Sequence, residues 1–389
     1  MKTSNPAPAH KMTSMPKIQH SAPKALLQKL TAILAVISAG FLASSAFADT
    51  EPVTIKLAPM PGIGHLIPDL AKGLGYFRDE GIDIEYVNVM NYVPDDFYSC
   101  ELLNNGTIDA EICWFQRVLY GIGNGQPARA VFLLEHSPHM TISVANRVKD
   151  QIRSAADFKG RSIIDSEGFS TKRYLTDLII TRAGVSIDDY TPHPEWSHSP
   201  EEAIKALKAG TVDVVTSMEP QTSKILAANL MTPLYDLTTE EGTRKALGDI
   251  WMARCLYFSP KYIREHPENV QKLVNVFTRT MRYINAHTAD EIMAKVDPGY
   301  YDPDMNNDLW ADYKKGKIDE IRSAYPILKR DDYSIPPSAA KLLFDTVLKT
   351  KFDDSPEGKY RRTAAQSGKI RVEDTFDNTF VEKAMQEFK

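Results

Sequence analysis

The sequence predicts two similar α/β lobes followed by a helical C-terminal part. In the first 240 residues, short segments with strand character alternate with segments of helical length, a pattern typical of mostly parallel sheets with helices on both faces. This plan occurs twice, and each copy contains a helix, a glycine and a Thr-hydrophobic-Asp strand, at residues 106–109 and 210–213. Beyond residue 240, apolar residues recur at helical spacing, as in Val270, Val274 and Phe277.

In the first copy, strands are predicted where apolar and polar residues alternate, as in residues 53–57. Glycines separate the helices from the strands: Gly81 precedes one strand, and Gly106 follows one helix. The predicted strands cover residues 53–57, 82–87, 108–112 and 129–135, and the helices between them cover 65–77, 95–104 and 115–124.

The second copy follows the same plan, with Gly184 and Gly210 at the ends of two helices. Its predicted elements are a helical turn at 152–158, strands at 159–164, 212–216 and 233–237, and helices at 170–183, 200–209 and 220–229. In the C-terminal part, helices are predicted at 267–285, 289–296, 306–317, 338–350 and 379–388.

The charge of the chain is unevenly distributed. The 389 residues include 46 Lys and Arg against 51 Asp and Glu. Residues 1–48 contain five lysines and no acid, which leaves 41 basic against 51 acidic side chains for residues 49–389. Because binding to nucleic acid depends on neutralising phosphates, this acidic body excludes nucleic acid as an expected partner.

The basic N-terminal stretch is followed by features of a signal peptide. An uncharged apolar run covers residues 30–42, and Ala46-Phe47-Ala48 has the small-x-small pattern that precedes cleavage. The run is about 13 residues long, whereas a membrane-spanning helix needs about 20. We therefore predict a signal peptide over residues 1–48, cleaved after Ala48, with a retained membrane anchor as the alternative.

Cysteines and other metal ligands are sparse. The chain has three cysteines, and none lies in a metal-binding spacing. Export permits disulfides, so Cys100 could pair with Cys113; the alternative is that the cysteines are small buried hydrophobic residues. A Glu/His group at 135–139 lacks further ligands at suitable spacing. We expect no metal and no cofactor.

Five segments occur in order along the chain and together resemble a known family. They read LAKGLGYFRDEGIDI (70–84), NGTIDA (105–110), AADFKGR (155–161), AIKALKAGTVD (203–213) and PKYIREHPENV (260–270). Each alone is chiefly a helix-turn-strand pattern. In this order, after a predicted signal peptide, they are similar to the periplasmic solute-binding proteins of ABC importers for nitrate, sulfonates, taurine and thiamine-pyrimidine precursors.

The resemblance implies a two-lobed periplasmic-binding-protein fold of the type II-like class, with two hinge crossings, that closes on a small molecule. We expect a first lobe at 49–143, a second lobe at 144–238, and a return to the first lobe with C-terminal helices at 239–389. The family further implies a monomer in the periplasm whose partners are a small-molecule ligand and an ABC permease with its ATPase.

Two other functions stay open. One is an enzyme on the same fold, similar to the thiamine-pyrimidine synthases or aromatic decarboxylases. The sequence has no nucleophile elbow, P-loop, HExxH motif or dinucleotide fingerprint, and no cysteine-rich iron-binding run, so we predict no catalytic residues. The other is a binding protein that serves a sensor receptor, which the sequence does not distinguish from a transport protein.

Ligand-binding residues are expected after the strands, because α/β sheets bind ligands outside the carboxyl ends of their strands. Trp114 offers a flat face and an N–H donor, and Arg254 could bind an anion through two hydrogen bonds. In the first lobe and the return strand, the candidates are His65, Tyr92, Trp114, Gln116, His136 and Arg254. The alternatives are a helix-terminal histidine for His65, a core residue for Trp114 and a structural salt bridge for Arg254.

The second lobe offers a turn for an anion at 165–171, where Ser170 or Thr171 can cap the following helix. Glu219 could accept a hydrogen bond from a ligand N–H, with a helix-start acid as the alternative. The candidates of this lobe are Phe169, Ser170, Thr171, Trp196 and Glu219. Because the two sets are rich in aromatic residues, we expect an organic, partly flat ligand with an anionic group.

Overall fold

The computed structural model of the protein describes residues 52–60, 63–94, 96–166, 170–219, 221–296, 330–348 and 354–388. The chain divides into two units, Met1–Glu51 and Pro52–Lys389, and all described residues belong to the second unit. The predicted signal peptide, the predicted helix at 306–317 and the candidate residue Phe169 lie outside the described residues.

Within the described ranges, ten strands form two five-stranded sheets. The strands are β1 (Val53–Pro59), β2 (Ile82–Tyr86), β3 (Ala110–Trp114), β4 (Arg129–Leu133), β5 (Met140–Ala145), β6 (Ser162–Ile164), β7 (Thr191–Pro192), β8 (Val214–Met218), β9 (Met231–Leu237) and β10 (Arg254–Phe258). The first sheet has the order β2-β1-β3-β10-β4, and the second has the order β7-β6-β8-β5-β9. The two predicted α/β lobes are confirmed.

In each sheet four of the five strands run in the same direction, as expected of mostly parallel sheets, and one strand runs against them. In the first sheet, β1 pairs in parallel with β2 and β3, whereas β10 is antiparallel to β3 and β4. In the second sheet, β6 is parallel to β7 and β8, whereas β5 is antiparallel to β8 and β9. The antiparallel strands β5 and β10 each follow a crossing from the other lobe, so they enter their sheet from the opposite end.

The strand β5 was missed, and the lobe boundary predicted between residues 143 and 144 cuts through it. The sequence of β5, MTISVA, alternates apolar and polar residues over 140–144, so the local signal of a strand is present and was overlooked. In the fold all six residues are buried. The chain therefore crosses to the second sheet within residues 134–139, and it returns within 238–253. These crossings run side by side, because Trp251 N–H donates to His136 O and Ala253 N–H donates to Glu135 O, both at 3.2 Å.

Helices cover both sheets. They are α1 (Ile63–Gly73), α2 (Tyr76–Asp79), α3 (Cys100–Asn105), α4 (Gln116–Gly123), α5 (Thr171–Arg182), α6 (Pro200–Ala209), α7 (Gln221–Ala227), α8 (Glu240–Leu247), α9 (Pro260–Glu265), α10 (Pro267–Ala286), α11 (Ala289–Met293), α12 (Pro337–Val347), α13 (Pro356–Gln366) and α14 (Thr379–Glu387). Short 3-10 turns occur at Val89–Asn91, Asp96–Tyr98, Ala155–Phe158, Pro194–Trp196 and Val372–Asp374.

Two predicted helices are interrupted. The helix expected at 65–77 ends at Gly73, because Gly75 adopts a left-handed conformation (φ 77°) before α2 starts. The helix expected at 95–104 becomes a 3-10 turn followed by α3. The helices α8, α9 and α13 were not predicted individually.

The hydrophobic core has two parts. One packs the first sheet against α1, α2, α10 and α14, with Leu70 and Phe277 at its centre. The other starts on the opposite face of that sheet and continues through α4, α5 and α12 into the second lobe, and it includes Trp251. The second part therefore joins the lobes through apolar contacts. Cys100, Cys113 and Cys255 are buried and form no disulfide with one another, as the hydrophobic alternative expected.

The outer edge of β4 is covered by segments from the C-terminal part. Leu133 N–H donates to Tyr333 O and Ala130 N–H donates to Thr375 O, both at 2.9 Å. Asp377 N–H donates back to Ala130 O at 2.8 Å, and Ala130 forms an isolated parallel bridge with Phe376. The backbone groups of Ala130 and the N–H of Leu133 thus have partners within the chain.

Helix α13 packs directly against the backbone of α4 at Gly123. A Cβ atom added at Gly123 would lie 2.5 Å from the Cβ of Ala364. Real Cβ atoms do not approach so closely, and the neighbouring atoms include helix backbone that cannot rotate away. Glycine is therefore required at residue 123 for this contact.

A buried network attaches α5 to the end of β6. The Tyr190 hydroxyl donates to Asp165 Oδ2 at 2.8 Å, and Arg173 Nη1 lies 3.1 Å from the same oxygen. Arg173 Nε also donates to Asp177 at 3.0 Å. Burial raises the pKa of Asp165 to about 6, although Arg173 opposes the shift. Asp165 is fully buried, so its ionisation is coupled to folding.

We expect Gly123→Ala to lower the free energy of unfolding by roughly 1–3 kcal/mol, because the added methyl group forces α4 and α13 apart. Urea denaturation followed by circular dichroism measures this change. Gly64→Ala is the matched control: its Cβ would meet only the Met60 Cβ at 3.3 Å among close neighbours. Equal unfolding midpoints for Gly123→Ala and the unmodified protein would contradict the close contact.

A pH dependence is expected from Asp165. The folded protein holds a proton on Asp165 up to about pH 6, whereas the unfolded chain releases it near pH 4. The contribution of Asp165 to stability therefore falls as the pH rises from about 4 to 6. Relative to Asp165→Asn, the unmodified protein should lose up to about 3 kcal/mol of unfolding free energy over this interval.

Denaturation curves at pH 4, 5, 6 and 7 measure that difference. Comparing the two proteins at each pH cancels the opposite contributions of His136 and His139, whose pKa values burial lowers to about 4. Asp150→Asn, an exposed aspartate of the same lobe, is the control and should follow the unmodified protein. Parallel curves for Asp165→Asn and the unmodified protein would refute the expectation.

Candidate functional site

The two lobes meet where a turn after β3 approaches the start of α5. Gln116 is the first residue of α4, and its Nε2 donates to Thr171 Oγ1 at 3.1 Å. Both side chains are buried. The structure therefore brings together two residues that the sequence placed in different lobes, and the candidate site is built around this contact.

Two helix N-termini converge at this point. Ser170 caps α5, with its Oγ accepting from the Lys172 N–H at 3.3 Å. Helix α4 begins without a side-chain cap. The positive ends of two helix dipoles, together with their N–H groups, favour a negatively charged group. The predicted capping role of Ser170 is confirmed.

Trp114 and Arg254 form the wall of the first lobe. They lie opposite each other on β3 and β10, and the Arg254 guanidinium lies 4.7 Å from the centroid of the indole ring. Trp114 is 8% exposed, as is Arg254. The guanidinium of Arg254 therefore packs on the face of the Trp114 indole, and Trp114 precedes Gln116 by two residues.

Arg254 is also paired with an acid. Its Nη1 donates to both carboxylate oxygens of Glu135, at 2.7 and 2.9 Å, so the alternative of a structural salt bridge is confirmed. His139 Nε2 lies 3.4 Å from Glu135 Oε2, and burial lowers the pKa of His139 to about 4, which keeps this imidazole neutral. Arg254 Nε is buried and has no hydrogen-bond partner among the described residues. Within the described residues, this buried N–H thus lacks the acceptor that a guanidinium donor usually has in a folded protein.

Gln116 likewise keeps one unused polar atom. Its Nε2 is bonded to Thr171, but its Oε1 is buried and has no hydrogen-bond partner in the part of the chain that the structure describes. A buried polar atom without a partner costs free energy. Gln116 and Arg254 therefore both have a capacity for hydrogen bonding that a bound molecule would satisfy.

The structure gives Glu219 a local role. Its Oε2 accepts from Ser223 N–H at 3.2 Å and from the Ser223 hydroxyl at 2.8 Å. The carboxylate thus caps the start of α7, as the helix-start alternative expected. Its backbone N–H donates to His139 O at 3.0 Å, which ties this strand end to the crossing.

The other candidates lie at the margins. The His65 ring contacts the Tyr86 ring edge-on at 5.3 Å, and the Trp196 ring stacks on His193 at 4.5 Å. Tyr92 is 60% exposed after a 3-10 turn. Among the described residues, no hydrogen bond or ring contact joins Tyr92 or Trp196 to Trp114, Gln116, Thr171 or Arg254.

His136 connects a crossing to α8. Its Nδ1 lies 2.9 Å from Glu240 Oε2. Burial and the charge of Arg330 lower the pKa of His136 to about 4. The described contacts of His136 thus join the crossing to α8 and do not involve Gln116 or Thr171.

The pairing of Glu135 with Arg254 and the role of Asp165 were missed. Residues 135 and 254 are 119 positions apart, and no local pattern links them. Asp165 lies in the turn that the sequence singled out, but its partner Tyr190 comes 25 residues later. Both acids are buried in the fold, and their burial is what requires these partners. A single sequence does not show which polar residues will be buried.

The described residues offer neither a cluster of metal ligands nor a helix suited to a membrane. No group of three or more His, Cys, Asp or Glu side chains there is arranged to hold a metal ion. None of the helices in those ranges combines the length and the apolar character needed to cross a membrane.

Comparisons with solved structures establish the fold. A putative sulfonate ABC transporter protein, the periplasmic sulfonate-binding protein SsuA from Methylobacillus flagellatus KT, superposes with a TM-score of 0.61 at 13% identity, over 87% of this chain and 95% of that one. The alkanesulfonate-binding protein SsuA from Xanthomonas axonopodis pv. citri, bound to MOPS, has a TM-score of 0.53 at 18% identity, over 85% and 100%. The two-lobed periplasmic-binding-protein fold is therefore confirmed.

Comparisons of sequence identify the family. The 4-amino-5-hydroxymethyl-2-methylpyrimidine phosphate synthase THI13 of Saccharomyces cerevisiae is 23% identical over 275 residues, which are 67% of this chain and 74% of that protein. The family model described as NMT1/THI5 like matches residues 65–290. Since this match covers more than half of the chain, the protein belongs to the NMT1/THI5-like family.

Proposed function

We propose that the protein is a periplasmic solute-binding component of an ABC importer, which captures a small organic anion between its lobes. One observation carries the proposal: the N-termini of α4 and α5 converge at Gln116 and Thr171, two residues along the chain from Trp114, which packs on Arg254. These groups donate hydrogen bonds and partial positive charge to a common region. No bond has to be broken for this function.

The ligand is an aromatic or heterocyclic carboxylate or sulfonate, or a pyrimidine. A planar carboxylate can accept a hydrogen bond from the unpartnered Nε–H of Arg254, whose guanidinium packs on Trp114. Because Glu135 already neutralises much of the Arg254 charge, the site favours a single anionic group that also accepts backbone N–H bonds. The unpartnered Oε1 of Gln116 suits an N–H or O–H donor on the same ligand.

Local groups must attract the anion, since the body of the protein is acidic. Residues 49–389 carry 41 basic against 51 acidic side chains, so the long-range field repels an anion. The helix N-termini and the guanidinium act over a few ångströms. Selectivity therefore depends on fit within the site rather than on steering from a distance.

Transport would follow from closure of the lobes. A ligand that contacts both lobes binds the closed form better than the open form and shifts the population toward it. The closed surface would then be read by a permease with its ATPase. In this proposal residues 1–48 direct a monomer to the periplasm. The similar SsuA proteins, whose names include sulfonate binding, support an anionic group on the ligand.

An enzymatic function is the second candidate, and the relative THI13 favours it because its name describes a phosphate synthase. The described residues that carry the site are a salt-bridged arginine, an amide, two hydroxyls and an indole, none of which is an activated nucleophile. Incubating the protein with the ligand and finding a chemically changed product would favour the enzyme. Recovery of unchanged ligand supports binding.

We expect aromatic sulfonates, aromatic carboxylates or pyrimidines to raise the melting temperature in a thermal-shift screen. At a concentration 100 times the Kd, a ligand adds about 2.7 kcal/mol of stability, which corresponds to roughly 5 °C. Taurine, alkanesulfonates and nitrate form the comparison set. Stabilisation by the comparison set alone would overturn the proposed ligand class. Mass spectrometry of the small molecules that co-purify with the protein gives an independent identification.

Trp114→Ala should weaken binding of the best ligand from that screen by about tenfold or more, which is about 1.4 kcal/mol. The indole packs on one face of the Arg254 guanidinium, so its loss leaves Glu135 as the remaining contact that orients this side chain. Calorimetry measures the Kd, and circular dichroism tests the fold. Trp196→Ala is the matched control and should change the Kd less, because Trp196 stacks on His193 instead. Equal Kd values for Trp114→Ala and the unmodified protein would remove Trp114 from the site.

A further inference from the structure

The contact between the lobes extends one helical turn beyond the candidate site. Gln116 and Tyr120 lie one turn apart on α4, and Thr171 and Tyr174 lie one turn apart on α5. The Tyr120 and Tyr174 hydroxyl oxygens are 2.7 Å apart, and Gln116 Nε2 is 3.1 Å from Thr171 Oγ1. We call these four residues the interlobe seam.

The deeper half of the interlobe seam is closed to water. Tyr120 and Tyr174 are 0% and 1% exposed. Burial raises the pKa of both tyrosines, so both hydroxyls remain protonated and one donates to the other. If either hydroxyl is removed, the other is left buried without this partner, which is costly.

A C-terminal helix covers the interlobe seam. Arg361 of α13 is fully buried, and its guanidinium lies 4.5 Å from the centroid of the Tyr174 ring. The same helix is attached to the first lobe, because Glu357 pairs with Arg117 at 3.1 Å. Helix α13 is thus anchored on α4 and reaches a residue of the second lobe.

Polar contacts of this kind specify an alignment that apolar packing leaves open. Helices α4 and α5 flank different sheets, so nothing in either lobe alone sets their relative position. Apolar surfaces can slide over each other at little cost, whereas a hydrogen bond between two buried hydroxyls is satisfied in one arrangement only. In that arrangement the residues one turn away, Gln116 and Thr171, are in contact.

We propose that Tyr120 and Tyr174 are positioning residues for the candidate site: their hydroxyl pair, covered by α13, aligns α4 and α5 so that the two helix N-termini converge before a ligand binds. Neither tyrosine has to touch the ligand. The inference deepens the proposed function and rests on it for the link to affinity, but the alignment itself needs no ligand.

The alignment can be measured in the ligand-free protein. Spin labels on Lys208→Cys in the second lobe and Lys261→Cys in the first use two exposed positions, while the three native cysteines are buried. We expect one narrow distance distribution for the labelled parent protein. Tyr120→Phe and Tyr174→Phe should each add a population at longer distance. Tyr257→Phe is the matched control: Tyr257 is also fully buried, but it lies in β10 within one lobe, and its hydroxyl has no hydrogen-bond partner among the described residues.

A double variant separates alignment from simple destabilisation. Tyr120→Phe/Tyr174→Phe leaves neither hydroxyl unpaired, so it should fold even where a single variant does not, and it should still show the longer distance. The dissociation rate of the best ligand from the screen should rise about five- to tenfold in each folded seam variant and stay unchanged in Tyr257→Phe. Unchanged distances in the seam variants would overturn the proposal even if a ligand binds. Longer distances support it even if no compound in the screen binds, so its failure is distinct from that of the proposed function.

Discussion

The arrangement of the site depends on the need to compensate one buried positive charge. Arg254 is the first residue of the strand by which the chain returns to the first sheet, and Glu135 lies near the start of the crossing by which the chain leaves that sheet. Their ion pair, at 2.7 Å, lies beside the backbone bond from Ala253 N–H to Glu135 O. Removing either partner would leave an uncompensated buried charge, which costs several kcal/mol. The pair therefore holds the two crossings together at their base.

The same ion pair explains why the site wall is ordered without a ligand. Glu135 takes one end of the guanidinium and Trp114 takes one face, so Arg254 has little rotational freedom left. A preorganised donor loses less conformational entropy on binding than a flexible one. The neutral His139 adds a polar neighbour without a second charge. The wall is thus rigid, whereas the convergence of α4 and α5 depends on how the lobes meet.

Much of the fold was predictable because its signals are local. β2 alternates buried and exposed residues along one half-exposed strand, and Gly106 and Gly210 are left-handed helix ends. The strand β5 carries the same local signal, since apolar and polar residues alternate over 140–144, and it was overlooked. In the site, the positions after strands were found from topology, but their partners were not. Arg254 and Glu135, like Tyr120 and Tyr174, meet only through the tertiary fold, and Glu219 turned inward to its own helix.

The covered edge of β4 has a consequence for the behaviour of the chain in concentrated solution. An open strand edge is a template on which another molecule can add a strand, and so a starting point for aggregation. Here Tyr333, Thr375 and Asp377 occupy the hydrogen-bonding groups of Leu133 and Ala130. The C-terminal segments therefore block the addition of a strand from another molecule at this edge. The protected edge belongs to the sheet that carries Trp114 and Arg254.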